Sequence, residues 1–399
     1  MSDMAEQKNP PPLRFRRFGG PWDRCRLGDA VQITMGQSPD GSTYSNEPRG
    51  HILVQGNADL QNGWVKPRVW TTQVTKTARP GDLIMSVRAP AGAMGKTAVG
   101  AVIGRGAAAI RGNEFIYQLL VKMDWDGFWR ALSCGSTFEA LSSDNIKNAE
   151  ITRPSPEEQA AIGQFFSQLD ELTLLHRHRL DKLQTVRRAM LEKMFPREGA
   201  ALPELRFRDF SGGWDTVRLG DIASEVSRTD QASQAPVMMI TAANGFIRQA
   251  DRYSFDNAGQ SLSRYIVLKQ GELAYNHGAS KLRPYGSCFA LEADEARVPY
   301  VYHCFSVRAH NPYFISLVLN GRETERQLRR LVTSGARMDG LLNISFAEYA
   351  TVRLRLPGRE EQDRIAACFQ ELDTLISLFR QRWDRLLALK KAMLERMLV

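Results

Sequence analysis

The stretch Pro154-Ser155-Pro156-Glu157-Glu158-Gln159, followed by an apolar-periodic run to Met194, decides the fold because the chain writes it twice. The second copy opens Pro357-Gly358-Arg359-Glu360-Glu361-Gln362 and keeps the same pattern to the last residues. At an offset of 203 the pairs Ile162/Ile365, Phe166/Phe369, Leu169-Asp170/Leu372-Asp373, Asp181/Asp384 and Leu183/Leu386 are identical. Both copies close on Ala-Met-Leu-Glu-x-Met, at 189–194 and 392–397. In all, 19 of 42 aligned positions agree, polar ones included. Unrelated amphipathic helices would match in residue class and not in polar identity, so the stretch is a duplication.

Each copy carries helix start signals. Ser155 can cap, Pro156 suits the first helical position, and Glu158 three residues on completes a capping box. Gly358 and Glu361 take those places in the second copy. Glu157-Glu158 and Glu360-Glu361 complement the positive end of the helix dipole.

The apolar stripe of the first copy is Ile162, Phe166, Leu169, Leu172, His176, Leu180, Leu183, Val186, Met190 and Met194. That of the second is Ile365, Phe369, Leu372, Ile376, Phe379, Trp383, Leu386, Leu389, Met393 and Met397. Steps of three and four mark a coiled-coil seam, on helices each on the order of 55 Å long. With a whole domain between them, the two helices are expected to pair antiparallel. In the competing arrangement each packs only on its own domain.

A second repetition precedes each domain. Pro11 to Asp29 recurs at Pro203 to Asp221, with 13 of 19 positions identical, among them Leu13-Arg14-Phe15-Arg16, Trp22-Asp23 and Arg26-Leu27-Gly28-Asp29. Between the repeated parts the halves diverge. Residues 30–150 carry short β-like runs at 31–34, 51–54, 82–87, 98–103 and 115–120, and a helical pattern at 128–132. Residues 222–352 show the same rhythm with other letters, with strands at 265–268 and 300–305 and helices at 314–320 and 324–332. The order of parts is lead segment, variable region and long helix, written twice.

The expected fold is α+β: two mixed α/β domains joined by two long helices in an antiparallel coiled coil, a pseudo-twofold tandem repeat. The expected parts are a disordered leader at 1–10, a first domain at 11–153 and a first helix at 154–196. A linker with the second domain at 197–356 and a second helix at 357–399 complete it. A chain of 399 residues suits two or three domains. No apolar run has the roughly 18 residues of a membrane span, and no secretory signal opens the chain, so a cytoplasmic protein is expected. The five cysteines, Cys25, Cys134, Cys288, Cys304 and Cys368, are scattered as reduced thiols would be.

Motifs for chemistry are lacking. No Gly-x-x-x-x-Gly-Lys-Ser/Thr loop or Gly-x-Ser-x-Gly elbow occurs. Asn9-Pro10-Pro11 and Asn311-Pro312-Tyr313 each miss a residue of an amino-methyltransferase loop. Gly104-Arg105-Gly106 reads as a turn between strands and not as a dinucleotide fingerprint, because Gly112-Asn113 interrupts the helix such a site needs. The chain is expected not to be an enzyme and to bind no metal or cofactor of its own.

A net charge of +9 favours a polyanionic partner. The variable regions hold polar, basic and aromatic loop residues of the kinds that read base edges and phosphates. In the first these are Gln37, Ser38, Tyr44, Asn57, Lys66, Arg68, Arg88 and Lys96. In the second they are Asn244, Arg248, Asn276, His277, Lys281, Arg283, Tyr285 and Arg337. The seam candidates are Ile162, Phe166, Leu169, Leu183 and Met190 against Ile365, Phe369, Leu372, Phe379, Leu386 and Met393.

The pattern resembles the specificity subunits of Type I restriction–modification systems. The resemblance is carried by Trp-x5-Gly-Asp at 22–29 and 214–221, Pro-Gly-Asp-Leu at 80–83, and Pro-x-x-Glu-Glu-Gln at 154–159 and 357–362. The ending Ala-Met-Leu-Glu-Lys-Met-Phe-Pro at 189–196 adds to it. The resemblance implies two target recognition domains that read a bipartite double-stranded DNA sequence, with the helices as spacer. It also implies docking of two adenine-N6 methyltransferase subunits and of restriction/translocase subunits. AdoMet, ATP and Mg²⁺ are then expected on those partners. The competing class is an assembly scaffold that binds protein and not DNA.

Overall fold

The computed structural model describes residues 11–133, 140–252, 259–332 and 342–399. Packing divides the chain into two units, Met1–Leu180 with Leu378–Val399, and Asp181–Ser377. Each unit therefore holds the start of one long helix and the end of the other.

In the first unit a six-stranded sheet runs in the order Gln32–Met35, Ala107–Arg111, Leu83–Ser86, Met94–Lys96, Trp64–Val65, Leu60–Gln61. A five-stranded sheet runs Tyr44–Ser45, Val69–Thr71, His51–Val54, Ala101–Ile103, Thr77–Ala78. A separate antiparallel ladder joins Asp23–Arg26 to Glu150–Arg153. The second unit repeats that ladder with Asp215–Arg218 against Arg353–Leu356. Its main sheet has four strands, Ala223–Glu225, His303–Val307, Leu273–Asn276 and Ser287–Ala290.

The run 115–120 is a correction. It lies in a helix, Glu114–Trp125, and not in a strand. The Asn113 side chain accepts from the Ile116 N–H at 3.0 Å and caps it. All six residues are buried, and an element buried all round shows no helical periodicity. The first long helix passes close by. A Cβ at Gly163 would lie 2.9 Å from the Glu114 Cβ and 3.1 Å from the Phe115 nitrogen, so glycine permits the approach.

The long helices span Pro156–Lys193 and Arg359–Met397. The expected capping box forms only in part. Ser155 Oγ accepts from the Glu158 N–H at 3.4 Å, but the Glu158 carboxylate turns to the Arg14 guanidinium at 2.6 Å through both oxygens. Arg206 holds Glu361 in the same fork at 2.7 Å. The two glutamate side chains are 1% and 3% exposed, so each is a buried ion pair. The paired carboxylate raises each guanidinium above its usual pKa. Gln159 and Gln362 donate back to the carbonyls of Pro154 and Pro357 at 2.9 and 2.8 Å. The Leu13 N–H bonds to the Arg396 carbonyl at 2.9 Å, and the Leu205 N–H to the Lys193 carbonyl at 2.8 Å. Thus each repeated lead segment ties the start of one long helix to the end of the other.

Within each unit the helix segments run antiparallel. In the first, Asp170 meets Lys390 at 2.5 Å, and six residues on the His176 ring lies 5.6 Å from Phe379. In the second, Arg187 bonds both carboxylate oxygens of Asp373, and the Phe195 ring lies 6.1 Å from Phe369. Ile162, Phe166 and Leu169 join Leu394, Met397 and Leu398 in the core of the first unit, with Leu386 and Met393 packed against it. Met194, Ile365 and Phe369 enter the core of the second, with Met190 against it. Leu372 is buried, and Leu183 and Phe379 are half-buried. The helices therefore pack on each other and on the domains at once, so neither arrangement considered from sequence holds alone.

The stripe needs three corrections: Leu172, Val186 and Leu389 stand 41–44% exposed. Their places are taken one residue on, where Thr173 and Lys390 are buried and Arg187 is half-buried. The heptad alternates strictly by four and three, and geometry, not apolarity, chooses who faces in. The inward cations are neutralised: Asp170 accepts from Lys390 and from Gln118 (2.7 Å), and Asp373 accepts from Arg187 and Tyr313 (2.5 Å).

Candidate nucleic-acid interface

In the first unit several loops converge where the strands end. The hub is the turn Gly104-Arg105-Gly106 between Ala101–Ile103 and Ala107–Arg111. The Gln37 N–H bonds to the Ile103 carbonyl at 2.9 Å, and Ser38 Oγ accepts from the Arg105 N–H at 3.1 Å. A Cβ at Gly106 would sit 2.1 Å from the Gln55 carbonyl oxygen, and at 3.9 Å it would meet the Arg88 side chain. Backbone so close to backbone requires glycine. The effect is to hold Gln37, Gln55, Arg88 and Arg105 exposed on neighbouring loops.

A second cluster gathers on the buried Asp59. Its carboxylate accepts from the Gln55 N–H at 2.7 Å and lies 3.8 Å from Arg68, and its carbonyl accepts from the Lys66 N–H at 2.8 Å. Asn57 opens the same short turn, and Asn57, Lys66 and Arg68 are exposed. One sheet end thus presents amide and cationic groups together, the mixture that suits base edges and phosphates.

Other expected readers are engaged in the fold. Lys96 donates to both oxygens of Glu114 at 3.0 and 3.2 Å and lies 4.6 Å over the Tyr117 ring, so its charge is already matched. Tyr44 donates its hydroxyl to the Pro39 carbonyl at 3.2 Å, and the Ser38 hydroxyl holds Arg105 as described.

In the second unit the exposed candidates are Asn244 and Arg248 on the hairpin Met238–Thr241/Gly245–Arg248, and Lys281 on the loop after Leu273–Asn276. Four neighbours are corrected to structural roles. Asn276 donates to the Ile240 carbonyl at 3.1 Å and accepts from the Gly278 N–H at 2.9 Å, tying the hairpin to this loop. His277 is 7% exposed, and its two ring nitrogens lie 2.8 Å from the carbonyls of Leu342 and Val301. Arg283 donates to the Asn320 carbonyl at 2.7 Å, and burial holds its pKa below the usual value. Tyr285 is half-buried, and its carbonyl accepts from the Tyr275 hydroxyl at 2.6 Å. Arg337 lies outside the described residues, as do the leader 1–10 and Cys134.

Sequence reading missed Gln55, Arg105 and Leu282, the last 63% exposed between Lys281 and Arg283. The signal for Arg105 was its flanking glycines, which mark a turn pressed against other backbone. Among the described residues no group of three or more His, Cys, Asp or Glu side chains could hold a metal ion. Among them, too, no helix is long and apolar enough to cross a membrane.

Residues 20–185 match the family model described as the Type I restriction modification DNA specificity domain. Two similar proteins come from Methanocaldococcus jannaschii. The type I restriction enzyme MjaX specificity subunit is 28% identical over 180 residues, 43% of this chain and 41% of that one. The MjaIX specificity subunit is 27% identical over 142 residues, 34% and 33% of the two chains. The matches thus span less than half the length of either relative. In fold, the chain is similar to the crystal structure of the Type-I restriction-modification system S subunit from M. genitalium. The TM-score is 0.68 at 13% identity, covering 98% of this chain and 99% of that one. Family model, relatives and fold agree on a Type I restriction–modification specificity subunit.

Proposed function

We propose that the chain reads a bipartite double-stranded DNA sequence, one domain per half-site, as the specificity subunit of a Type I restriction–modification complex. The observation that carries this reading is where the duplication is kept and where it is lost. The copies agree at the residues that build the helix frame: Arg14/Arg206, Glu158/Glu361, Gln159/Gln362, Trp22/Trp214 and Asp170/Asp373. They differ in the loops at the strand ends, where Gln37, Gln55, Arg88 and Arg105 in one unit have no counterpart by type in the other. One frame carrying two different heads suits two different half-sites; identical heads would read a palindrome.

The helix pair acts as a spacer, and the chain docks two adenine-N6 methyltransferase subunits, with restriction/translocase subunits joining them. AdoMet, ATP and Mg²⁺ act on those partners, and this chain contributes recognition and not catalysis. Each good base contact gives roughly 1–3 kcal/mol of discrimination, so a few per head suffice. The phosphate contacts add salt-dependent affinity.

The test is to map methylated adenines in cells with and without this gene and its methyltransferase partner. Loss of one bipartite motif is expected. An unchanged methylation map, or methyl transfer to DNA by the purified chain alone, would overturn the reading.

A further inference from the structure

Six large apolar side chains on the long helices face outward, and they fall into three pairs at the offset of the duplication. Leu172 and Leu375 are 42% and 43% exposed, Leu175 and Leu378 are 45% and 46%, and Val186 and Leu389 are 41% and 44%. Two basic positions lie between them in each copy, Arg179 and Lys182 in the first and Arg382 and Arg385 in the second, all exposed. At about 100° per residue, the five positions of each copy lie within about 80° of one another, beside the seam and not on it. Arg179 also leans over the Phe379 ring at 5.9 Å.

Other exposed positions on the same helices have drifted apart, as at Glu171/Thr374, Gln168/Glu371, His178/Gln381 and Thr185/Ala388. Drift is what a solvated face permits. Leucine kept at the same four exposed positions is opposed by water, and nothing in the described core uses these side chains. A requirement acting on each helix separately, and alike on both, keeps them there. A DNA backbone would favour the cations and not the leucines. A surface with apolar contacts and intervening carboxylates suits both.

We propose that Leu172-Leu175-Arg179-Lys182-Val186 and Leu375-Leu378-Arg382-Arg385-Leu389 are two equivalent docking stripes, each taking one copy of the methyltransferase subunit through an apolar, acidic face. This rests on the reading of the chain as a specificity subunit, and adds which residues set the number of methyltransferase copies. A partner needed once per half-site is the one that needs the same stripe twice.

The test uses the full-length chain co-expressed with the methyltransferase subunit of its own system, with copies per chain counted by native mass spectrometry. The wild-type chain is expected to hold two copies. Leu172→Asp with Leu175→Asp leaves one, Leu375→Asp with Leu378→Asp leaves one, and all four together leave none. Loss on the order of 100-fold in affinity per stripe is expected for a central apolar anchor. Because the positions are exposed, the unfolding midpoint stays at the wild-type value. Leu282→Asp, on a domain loop, is the control and keeps two copies. If the fourfold variant still holds two copies, the stripes are not the docking surface, while the specificity reading stands. Loss of self-association in the variants would assign the stripes to a second copy of this chain and overturn the proposal. A wild-type chain that holds no methyltransferase would overturn the proposal and the reading beneath it.

Discussion

Replacing Arg206 by alanine tests the clasp between lead segment and helix start. The Arg206 guanidinium donates two 2.7 Å bonds to Glu361 and further bonds to the carbonyls of Gly212 (2.7 Å) and Ser211 (3.2 Å). The Glu361 side chain is 3% exposed, so no water reaches it when the arginine is removed. An uncompensated buried charge costs about 3–5 kcal/mol. For a unit of this size, about 2–4 °C per kcal/mol places the loss near 10 °C in the melting of the second unit. Urea unfolding followed by tryptophan fluorescence, with hydrogen exchange at the start of the second long helix, measures it. The apolar double variant Arg206→Met with Glu361→Leu is expected within about 1.5 kcal/mol of wild type, because both desolvation penalties leave with the charges. The reasoning is refuted if Arg206→Ala costs under about 1 kcal/mol, or if the double variant is no more stable than the single.

Other outcomes follow from the same geometry. Ile365→Asp, at a residue 2% exposed in the core of the second unit, is expected to cost upward of about 4 kcal/mol from lost packing and a buried charge; an unchanged urea midpoint would contradict that placement. Gly106→Ala brings a Cβ to 2.1 Å from the Gln55 carbonyl oxygen. It should destabilise the first unit by about 1–3 kcal/mol and weaken binding of random-sequence DNA, read by fluorescence anisotropy at low salt. Burial holds the pKa of His303 and His310 below the usual histidine value. The folded state then stays neutral where the unfolded chain takes up protons, so their contribution is full above about pH 6.5 and is lost as pH falls below it. The urea midpoint is expected to drop between pH 7.5 and pH 5.5, and His303→Phe should flatten that dependence; an equal slope in the variant would show that His303 does not cause it.

The duplication made the frame legible, because a repeat kept at polar positions such as Glu158/Glu361 reports structure that no hydropathy pattern can. Its reason was less legible. Glu158 reads as a capping box because Ser155 stands three residues before it, yet the arginine that claims its carboxylate is 144 residues away. The helix Glu114–Trp125 reads as a strand because burial on every side erases its period. Thr173, Arg187 and Lys390 were passed over in the seam for neighbouring Leu172, Val186 and Leu389, since apolarity was weighed above strict heptad spacing. The site fared worst. Lys96, Asn276, His277 and Arg283 have the residue types of DNA readers, but whether such a side chain is free depends on partners distant in sequence, such as Glu114, Ile240, Leu342 and Asn320. Arg105 was legible only through its glycines.

The central claim is that one chain carries two independent reading heads on a common frame. Exchanging residues 30–150 for the corresponding region of another specificity subunit, and mapping methylated adenines in cells that carry the partner methyltransferase, tests it most directly. The account predicts a motif in which one half is replaced and the other half is unchanged. A motif altered in both halves, or in neither, would contradict it.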